Sequence, residues 1–263
     1  MDEELKVFSH KIVEKISRKT RQHYLKNFFE LGKIVGIGAD ATPTTYIDDI
    51  AEKTAIDMIK KSNISVNLLS EEVGFLDFGG KYTFILDPID GTRNAYRGVP
   101  FFSVSLAIAT THLSDVFYGI VKNIPTGDIF TAEKGHGSFI NGKQIHVCEI
   151  PAEEMVVSLS LGKNSDKTTL CFAKENTIRS FGSASLEMCM VARGGIDAYV
   201  VGKKYLRIVD IAASTLIVRE AGGFVTDIHG KQLDMGLSLD ERTSLVASCS
   251  QEVIKQCVSV NNK

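Results

Sequence analysis

Two acidic residues, Asp87 and Asp90, lie three positions apart in a turn that directly follows an apolar run. Pro88 stiffens this turn, and Gly91 leaves room for another backbone to come close. Carboxylates held so near each other repel unless a cation lies between them, and a divalent metal ion is the natural occupant. Because Asp, Pro and Gly are also common in surface turns, the segment alone leaves both a metal site and an ordinary turn open.

Two further acids follow segments with the pattern of regular structure. Glu71 comes just after a predicted strand at residues 64–69, and if that strand neighbours the one before Asp87, both carboxylates project from one edge of a sheet. Asp210 opens a helix rich in small residues, for which N-terminal capping is the alternative interpretation. With Asp90, these acids form an all-oxygen set that suits hard cations such as Mg²⁺ or Mn²⁺. Two such ions can clamp the attacking and leaving oxygens of a phosphoryl group.

Periodicity and turn signals indicate the elements that position these acids. A long amphipathic helix opens the chain, with apolar residues at helical spacing: Leu5, Phe8, Ile12 and Ile16. A second helix begins near Thr45, which matches a capping box with Asp48, and Asn141-Gly142 between short strands predicts a hairpin. In the second half, predicted strands and helices alternate, among them an element at residues 166–173 and a strand at residues 196–201, which predicts a mixed α/β fold. We divide the chain into two packed subdomains, residues 1–150 and 151–263.

Composition is that of an ordinary globular protein. The 263 residues are 44% apolar and 24% charged, with a net charge of −2. The sequence has no dense basic run of the kind that would predict a nucleic-acid or membrane-surface partner, and no apolar stretch has membrane-spanning length. The charged first residues are unlike a signal peptide. Because the five cysteines are scattered and lack metal-ligand spacing, we expect reduced thiols and a cytoplasmic protein.

The ordered motifs closely resemble the inositol monophosphatase family of Mg²⁺-dependent, Li⁺-sensitive phosphatases. Its defining Asp-Pro-Ile-Asp-Gly-Thr motif is intact at residues 87–92, and its second motif matches Asp210 and the Glu-Ala-Gly-Gly at 220–223. Residues 132–142 and 188–199 resemble the family's hairpin and its helix–turn–strand. The resemblance implies a layered α-β-α-β-α sandwich of the sugar phosphatase type, commonly a homodimer, that hydrolyses small phosphate esters.

By position in these motifs, the resemblance also implies a set of metal ligands. A first Mg²⁺ would be held by Glu71, Asp87 and the backbone carbonyl of Ile89. A second would be held by Asp87, Asp90 and Asp210. A third, weaker ion would rest mainly on Glu71 and water, and Mn²⁺ is the alternative metal.

The catalytic residues implied by the resemblance are Glu71, Thr92 and Asp48. The family pairs the Thr of its defining motif with an Asp on an earlier helix, which gives Asp48 a role beyond capping. Thr92 and Glu71 would orient a water molecule and take its proton. The backbone N–H groups of Gly91 and Thr92, at a helix start, would hold the phosphate oxygens.

The sequence departs from inositol-specific members of the family just before Asp210. Those members usually carry Trp immediately before the last metal-binding Asp, where this chain has Val209. The connection ahead of it is longer and contributes three cations, Lys203, Lys204 and Arg207. Because Lys and Arg are the usual partners of phosphate, they predict a second anionic group on the substrate. Solvated surface charge is the alternative interpretation.

A turn of Gly182, Ser183 and Ala184 is expected to line the same pocket, with Arg179 just ahead of it. We expect this turn and Asp210 to contact the substrate. Residues 38–44 resemble a flexible loop of archaeal-type relatives that act both as fructose-1,6-bisphosphatase and as inositol monophosphatase. On that loop, Asp40 is a candidate ligand that would join a metal when the loop closes.

These features favour a dual-specificity sugar phosphatase over a strict inositol enzyme. Its expected substrates are fructose-1,6-bisphosphate and inositol-1-phosphate. Two alternatives stay open: a phosphatase that acts on 3′-phosphoadenosine phosphate or NADP, and a non-catalytic regulatory member of the family. The intact acids at every expected position argue against the regulatory alternative.

Overall fold

Two β-sheets and three helical layers alternate in the fold, which is the α-β-α-β-α sandwich that the motifs predict. The computed structural model describes residues 2–39, 42–149, 154–161 and 173–261. Within this part of the chain, no helix is long and apolar enough to cross a bilayer.

In its described residues, the first half of the chain builds a two-stranded sheet, three α-helices, two short 3-10 helices and a large mixed sheet. Its elements are α1 (Asp2–Asn27), β1 (Ile34–Ile37), β2 (Pro43–Thr45), α2 (Tyr46–Lys60), β3 (Asn67–Ser70), β4 (Gly74–Leu76), β5 (Thr83–Asp90), α3 (Thr92–Arg97), β6 (Ser103–Ala109), β7 (Tyr118–Asn123), β8 (Ile129–Glu133), β9 (Gly137–Ile140) and β10 (Lys143–Ile145). Strands β1 and β2 pair with each other. The eight-stranded sheet has the order β10-β9-β8-β7-β6-β5-β3-β4, in which β3 and β5 run parallel.

In its described residues, the second half builds a five-stranded sheet of order β12-β11-β13-β15-β14 and, beside a few helical residues at 173–175, the three helices given below. Its elements are β11 (Val156–Leu159), β12 (Thr177–Arg179), α4 (Ala184–Ala192), β13 (Ala198–Leu206), α5 (Ile208–Glu220), β14 (Phe224–Thr226), β15 (Thr243–Ser248) and α6 (Gln251–Asn261). An element expected at residues 166–173 lies outside the described residues except for its last position.

Each sheet is covered on both faces, so its strands are apolar on both sides. In β5, Phe84 and Leu86 pack against the outer helices α1 and α2, whereas Ile85 packs against α4 and α5. In β13, Val201 faces these same central helices and Val200 faces α6. The apolar positions predicted for α1 are all buried in the outer layer: Leu5, Phe8, Ile12 and Ile16.

Helix α5 comes unusually close to the large sheet. A Cβ atom added at Gly119 on β7 would lie 2.9 Å from the carbonyl oxygen of Ala213 and 3.1 Å from its Cα atom. The small residues on α5 and the missing side chain on β7 therefore let the two backbones touch. This contact sets how closely α5, whose first turn contains Asp210, packs on the large sheet.

The two sheets lie on either side of residue 150, within residues 67–145 and 156–248. Because α4 and α5 pack against both sheets, one apolar cluster joins the two halves. The division into subdomains 1–150 and 151–263 therefore stays a prediction.

Strand β13 continues to Leu206, past the expected strand end at Val201. Its pairing with β15 is irregular between these two residues and resumes where Leu206 pairs with Thr243. Lys203 and Lys204 therefore lie on an exposed part of a strand rather than on a loose connection. The polar side chains of this part ended the apolar pattern before the strand itself ends.

Candidate active site

Three carboxylates meet where the large sheet faces the start of α5. Strands β3 and β5 are parallel neighbours with Ser70 opposite Leu86, so the next residues, Glu71 and Asp87, leave the same sheet edge. One carboxylate oxygen of each of Glu71, Asp87 and Asp210 lies within 4.8 Å of those of the other two. The shared edge that the sequence predicted for the first two acids is thus present.

Burial disfavours the charged forms of the acids in this cluster. Burial raises the pKa of Asp87 well above its ordinary range, and the neighbouring Glu71 and Asp90 add to the effect. Burial also raises the pKa of Glu71 to about 8, although the nearby Arg207 favours its charged form. Clustered, buried carboxylates with all-oxygen donors are suited to a hard divalent cation, so these residues fit the metal ion that the motifs imply.

Arg207 points into the cluster. Its Nη1 donates to Glu71 Oε1 at 2.5 Å and its Nη2 to Asp210 Oδ1 at 2.8 Å, while its backbone N–H donates to Asp210 Oδ2 at 2.6 Å. Asp210 therefore accepts a hydrogen bond at the start of α5 and belongs to the acidic cluster at the same time. The guanidinium supplies one positive charge to the acids.

Asp90 lies at the N-terminus of α4. Its carboxylate accepts hydrogen bonds from Ser183 Oγ at 2.6 Å, the backbone N–H of Ser185 at 2.7 Å and that of Ala184 at 3.1 Å. Burial raises the pKa of Asp90, although these hydrogen bonds favour the carboxylate. The first turn of α4 therefore orients Asp90, and Ser183 reaches the site through this acid.

Thr92 and Asp48 connect two helix starts. Thr92 Oγ1 lies 2.9 Å from both Asp48 Oδ1 and the carbonyl oxygen of Ile89, and its single hydroxyl hydrogen can be donated to either. The other oxygen of Asp48 accepts from Thr45 Oγ1 at 2.6 Å. Asp48 is therefore a capping residue of α2 and a partner of Thr92. Burial raises its pKa.

The turn ahead of α3 requires a glycine. Gly91 has a φ of +92°, in the left-handed region, and a Cβ atom there would lie 3.2 Å from the carbonyl oxygens of Gly182 and Phe101. Only glycine adopts this conformation so close to other backbone without strain. The turn thereby places the start of α3 beside the acidic cluster. The first N–H groups of this helix have no carbonyl acceptor within the helix.

A cleft of about 590 Å³ opens over the acids. The predicted site residues that line it are Glu71, Asp90, Gly182, Ala184, Arg207 and Asp210. In the described part of the chain, Arg179, Lys203 and Lys204 are not among the lining residues. Arg179 donates to the neighbouring carbonyl of Ile178, and both lysines are exposed. Asp40 lies outside the described residues.

Sequence reasoning missed several residues that line the cleft. Arg93 follows Thr92 directly, so its place beside the phosphate-binding motif was a usable signal. Tyr205 lies between the lysines and Arg207. Arg242 has no local signal, because only the pairing of β13 with β15 brings it to the site. Glu187, also in the cleft wall, accepts from Ser158 Oγ and from the backbone N–H of Phe181.

The order of these acids is shared with known proteins, since a model of the inositol monophosphatase family matches residues 2–260. The chain belongs to the inositol monophosphatase family. It is 38% identical over 250 residues to a fructose-1,6-bisphosphatase/inositol-1-monophosphatase of Methanothermobacter thermautotrophicus, with 85% of each chain covered. Members of the family depend on metal ions, and the acidic cluster of this member can bind one.

Two further similarities concern the fold and the choice of substrate. A solved inositol monophosphatase-fructose 1,6 bisphosphatase superimposes with a TM-score of 0.85 at 30% identity, covering 95% of this chain and 98% of the other. A bifunctional NADP phosphatase/NAD kinase of Methanocaldococcus jannaschii is 37% identical over 275 residues, which cover 90% of this chain and 47% of that protein. The chain thus has the fold of the inositol monophosphatase family, and the names of its relatives refer to different substrates.

Proposed function

We propose that this inositol monophosphatase family member is a Mg²⁺-dependent phosphoric monoester hydrolase that acts on sugar and polyol phosphates. The observation that carries the proposal is the cluster of Glu71, Asp87 and Asp210 beside the Thr92–Asp48 pair. Relatives named as fructose-1,6-bisphosphatase and inositol-1-monophosphatase support fructose-1,6-bisphosphate and inositol-1-phosphate as substrates.

The residues that would hold two Mg²⁺ ions are Glu71, Asp87, Asp90, Asp210 and the carbonyl of Ile89, with a third, weaker ion on Glu71. When bound, Mg²⁺ lowers the pKa of water and stabilises negative charge on a phosphoryl group and its leaving oxygen. Mn²⁺ has the same preference for oxygen ligands and is the alternative ion.

The chain's own residues orient the reactants. Because Thr92 donates its hydroxyl hydrogen to Asp48 or Ile89, its oxygen is left to accept a hydrogen bond from the attacking water. Glu71 faces the same cleft and would draw off the proton of that water. The N–H groups of Gly91 and Thr92 would hold the phosphate oxygens, so that water attacks phosphorus in line without a covalent enzyme intermediate.

Release of inorganic phosphate from a panel of substrates tests the proposal. The panel contains fructose-1,6-bisphosphate, inositol-1-phosphate, 3′-phosphoadenosine phosphate and NADP, each with Mg²⁺ and with EDTA, and with Li⁺ as a further arm. We expect Mg²⁺-dependent hydrolysis of both sugar and polyol substrates. Absence of hydrolysis of both, with intact folding by circular dichroism, would contradict the proposal.

A nucleotide phosphatase is the second candidate, and the similarity to a bifunctional NADP phosphatase/NAD kinase favours it specifically. A kcat/KM at least about tenfold higher on NADP than on either sugar substrate would transfer the assignment to it, a difference of about 1.4 kcal/mol in transition-state binding. A regulatory member of the family would instead tolerate loss of its metal ligands.

The assembly and the compartment are further parts of the proposal. We propose a homodimer, as the family resemblance implies, and size-exclusion chromatography with light scattering would test it. A cytoplasmic location is supported by the cysteines, because the four in the described residues form no disulfide with one another. Its partners would be small phosphate esters rather than nucleic acid or membrane.

A further inference from the structure

The short segment that leads into α4 runs beside the active site. This entry segment, residues 181–183, connects β12 to α4. The ring of Phe181 stacks on that of Phe101, which lies between α3 and β6, with the ring centroids 4.8 Å apart. Gly182 then turns the chain in the left-handed region, with a φ of +83°. The turn places Ser183 at the N-cap position of α4.

Asn94 of α3 binds the carbonyl group of the entry segment. Its side-chain amide donates to the carbonyl oxygen of Phe181 at 2.6 Å and to that of Phe101 at 2.7 Å. One amide thereby joins both of the stacked residues through their backbones. Because Phe181 lies 87 positions further along the chain, this contact ties the first half of the chain to the second.

Glu187 of α4 binds the N–H group of the same residue. Its Oε1 accepts the backbone N–H of Phe181 at 2.6 Å and the hydroxyl of Ser158 at 2.8 Å, and Tyr199 is a further hydrogen-bond partner. The side chain of Glu187 is buried, so water does not compete for these contacts. Phe181 is therefore bound at its N–H group by α4, at its carbonyl by α3 and at its ring by Phe101.

The entry segment lies directly against two parts of the active site. Ser183 donates its hydroxyl hydrogen to Asp90 at 2.6 Å. A Cβ atom added at Gly91 would lie 3.2 Å from the carbonyl oxygen of Gly182, so the segment also packs on the turn before α3. Among the described residues, Asn94 forms no hydrogen bond with Asp90. The entry segment is therefore the path by which this neutral side chain can act on the acid.

We propose that Asn94 and Glu187 are positioning residues for Asp90. By binding Phe181 from two helices, they fix the direction of the Ser183 hydroxyl and hence of the carboxylate that would bind the second Mg²⁺ ion. Their contribution is to metal affinity rather than to the chemistry at phosphorus. The inference rests on the proposed function, in which Asp90 is a metal ligand.

Three variants separate the contacts. Asn94→Ala removes both amide donors to the backbone, and Glu187→Ala removes the acceptor for the N–H group of Phe181. Glu187→Gln keeps an acceptor oxygen and removes the negative charge, which also repels Asp90. Calorimetric titration with Mn²⁺ in the absence of substrate measures metal binding apart from catalysis, and urea unfolding in EDTA measures stability.

Asn67→Ala is the matched control. Asn67 of β3 makes the same kind of contact, since its side chain accepts the N–H groups of Phe78 and Gly80 and donates to the carbonyl of Gly80. These partners lie on the connection from β4 to β5, and Asn67 lies at the end of β3 opposite to Glu71. The control therefore loses a side-chain contact to the backbone of a connection that does not lead to Asp90.

For Asn94→Ala we expect the affinity for one of two Mn²⁺ ions to fall at least about tenfold, the usual result of losing a group that orients a metal ligand. Glu187→Ala should have the same effect, whereas Glu187→Gln should keep most of the affinity. Asn67→Ala should lose stability as Asn94→Ala does and keep its Mn²⁺ affinity. In phosphate-release assays, Asn94→Ala should raise the half-saturating Mg²⁺ concentration while the KM of the substrate stays within about twofold.

A double variant tests whether Asn94 acts through Asp90. Asp90→Asn removes the charged ligand itself, so the addition of Asn94→Ala should weaken Mn²⁺ binding no further. Additive losses of affinity would overturn the inference, because they would place the effect of Asn94 elsewhere.

Three other results would also overturn the inference. One is an unchanged Mn²⁺ affinity of Asn94→Ala, which would leave its contacts with a purely structural role. Another is an equal loss of affinity in Asn67→Ala, and the third is a parent protein that binds a single Mn²⁺ ion. Failure of the proposed function is separately visible, because a parent that binds two Mn²⁺ ions but hydrolyses neither sugar nor polyol phosphates contradicts that function while the titration still decides the inference.

Discussion

Asp48 illustrates how a single carboxylate joins a helix start to the catalytic turn. One of its oxygens accepts from Thr45 at the start of α2, and the other accepts from Thr92 at the start of α3. The local contact stabilises a helix, and the long-range contact orients a hydroxyl group over the acidic cluster. Because the two partners are separate side chains, their contributions can be measured separately.

Thr92→Ala should lower kcat with little effect on stability, whereas Thr45→Ala should do the reverse. Loss of the oriented hydroxyl is expected to reduce kcat at least about 100-fold, the usual contribution of a positioned proton-transfer group. Loss of the Thr45 contact should cost about 1 kcal/mol of unfolding free energy, as for a helix cap. Phosphate-release kinetics and urea unfolding measure the two effects. Equal losses of kcat in both variants would contradict this division of roles.

Asp87 is expected to lower the unfolding free energy of the protein when no metal ion is bound. Burial and neighbouring carboxylates raise its pKa, and a neutral Asn removes that repulsion while its Oδ1 can still accept the N–H of Ile89, as Asp87 does at 3.0 Å. In EDTA, Asp87→Asn should therefore raise the unfolding free energy by about 1 kcal/mol. Asp77→Asn is the matched control, because exposed Asp77 accepts the N–H of Gly79 in the same way.

The pH dependence of this stability follows from the sign of the shift. A carboxyl whose folded-state pKa is raised keeps its proton in the folded metal-free protein after the unfolded chain has released it. Stability from Asp87 is therefore lost as the pH rises from the ordinary carboxyl range towards the folded-state pKa. Asp87→Asn should flatten this decline in urea unfolding measured from acidic to neutral pH. A variant less stable than the parent in EDTA would contradict the account.

Residue patterns indicated where the acids come together but not which way the basic side chains point. Glu71, Asp87 and Asp210 follow apolar runs, so their positions at the ends of elements were visible locally. The direction of a long cationic side chain is not visible in the local sequence, because it depends on which partner is nearest after folding. Arg207 was expected to face the substrate, and in the structure it binds two acids of the cluster. Arg242 reaches the cleft through a strand pairing that no local pattern encodes.

At the scale of elements, the contact between α5 and β7 sets the position of Asp210. The backbone of α5 reaches β7 because Gly119 has no side chain, and the helix then begins beside the edge where β3 and β5 end. Two layers that belong to different halves of the chain are thereby brought to a common site.

Gly119→Ala should force these layers apart. The new methyl group would meet the backbone of Ala213, which cannot move without the whole helix, so we expect a loss of about 1–3 kcal/mol in unfolding free energy. Gly36→Ala is the matched control in another strand, where the nearest atom to a new Cβ lies at 3.9 Å. It should change stability by less than about 0.5 kcal/mol. Urea unfolding of both variants is the measurement, and equal losses of stability would contradict the expected clash with Ala213.

Elements with a local signal were predicted and elements without one were not. The capping box of α2 and the Asn141-Gly142 turn of the β9–β10 hairpin are both present, because each is fixed by neighbouring residues. The end of β13 was placed too early, since its last residues pair with β15 despite their polar side chains. The contact of Asp90 with the start of α4 also lacked a signal, because the partners are 93 to 95 positions apart.

At the scale of the whole molecule, the site exists only where the two halves meet. The large sheet supplies Glu71, Asp87 and Asp90, α5 supplies Asp210, and β13 of the small sheet supplies Tyr205 to the wall of the cleft. Helices α4 and α5 pack in one apolar cluster with residues of both sheets, so the core holds the two sides of the cleft together.

The central claim is that this acidic cluster holds the metal ions for phosphate-ester hydrolysis. The rate of phosphate release from fructose-1,6-bisphosphate, measured against Mg²⁺ concentration for the parent protein and for Asp210→Asn, tests it most directly. We predict a saturable dependence on Mg²⁺ for the parent and a kcat at least about 1000-fold lower for the variant at every Mg²⁺ concentration, since transition-state charge loses its stabilisation. A near-parental rate of Asp210→Asn at saturating Mg²⁺ would contradict the account.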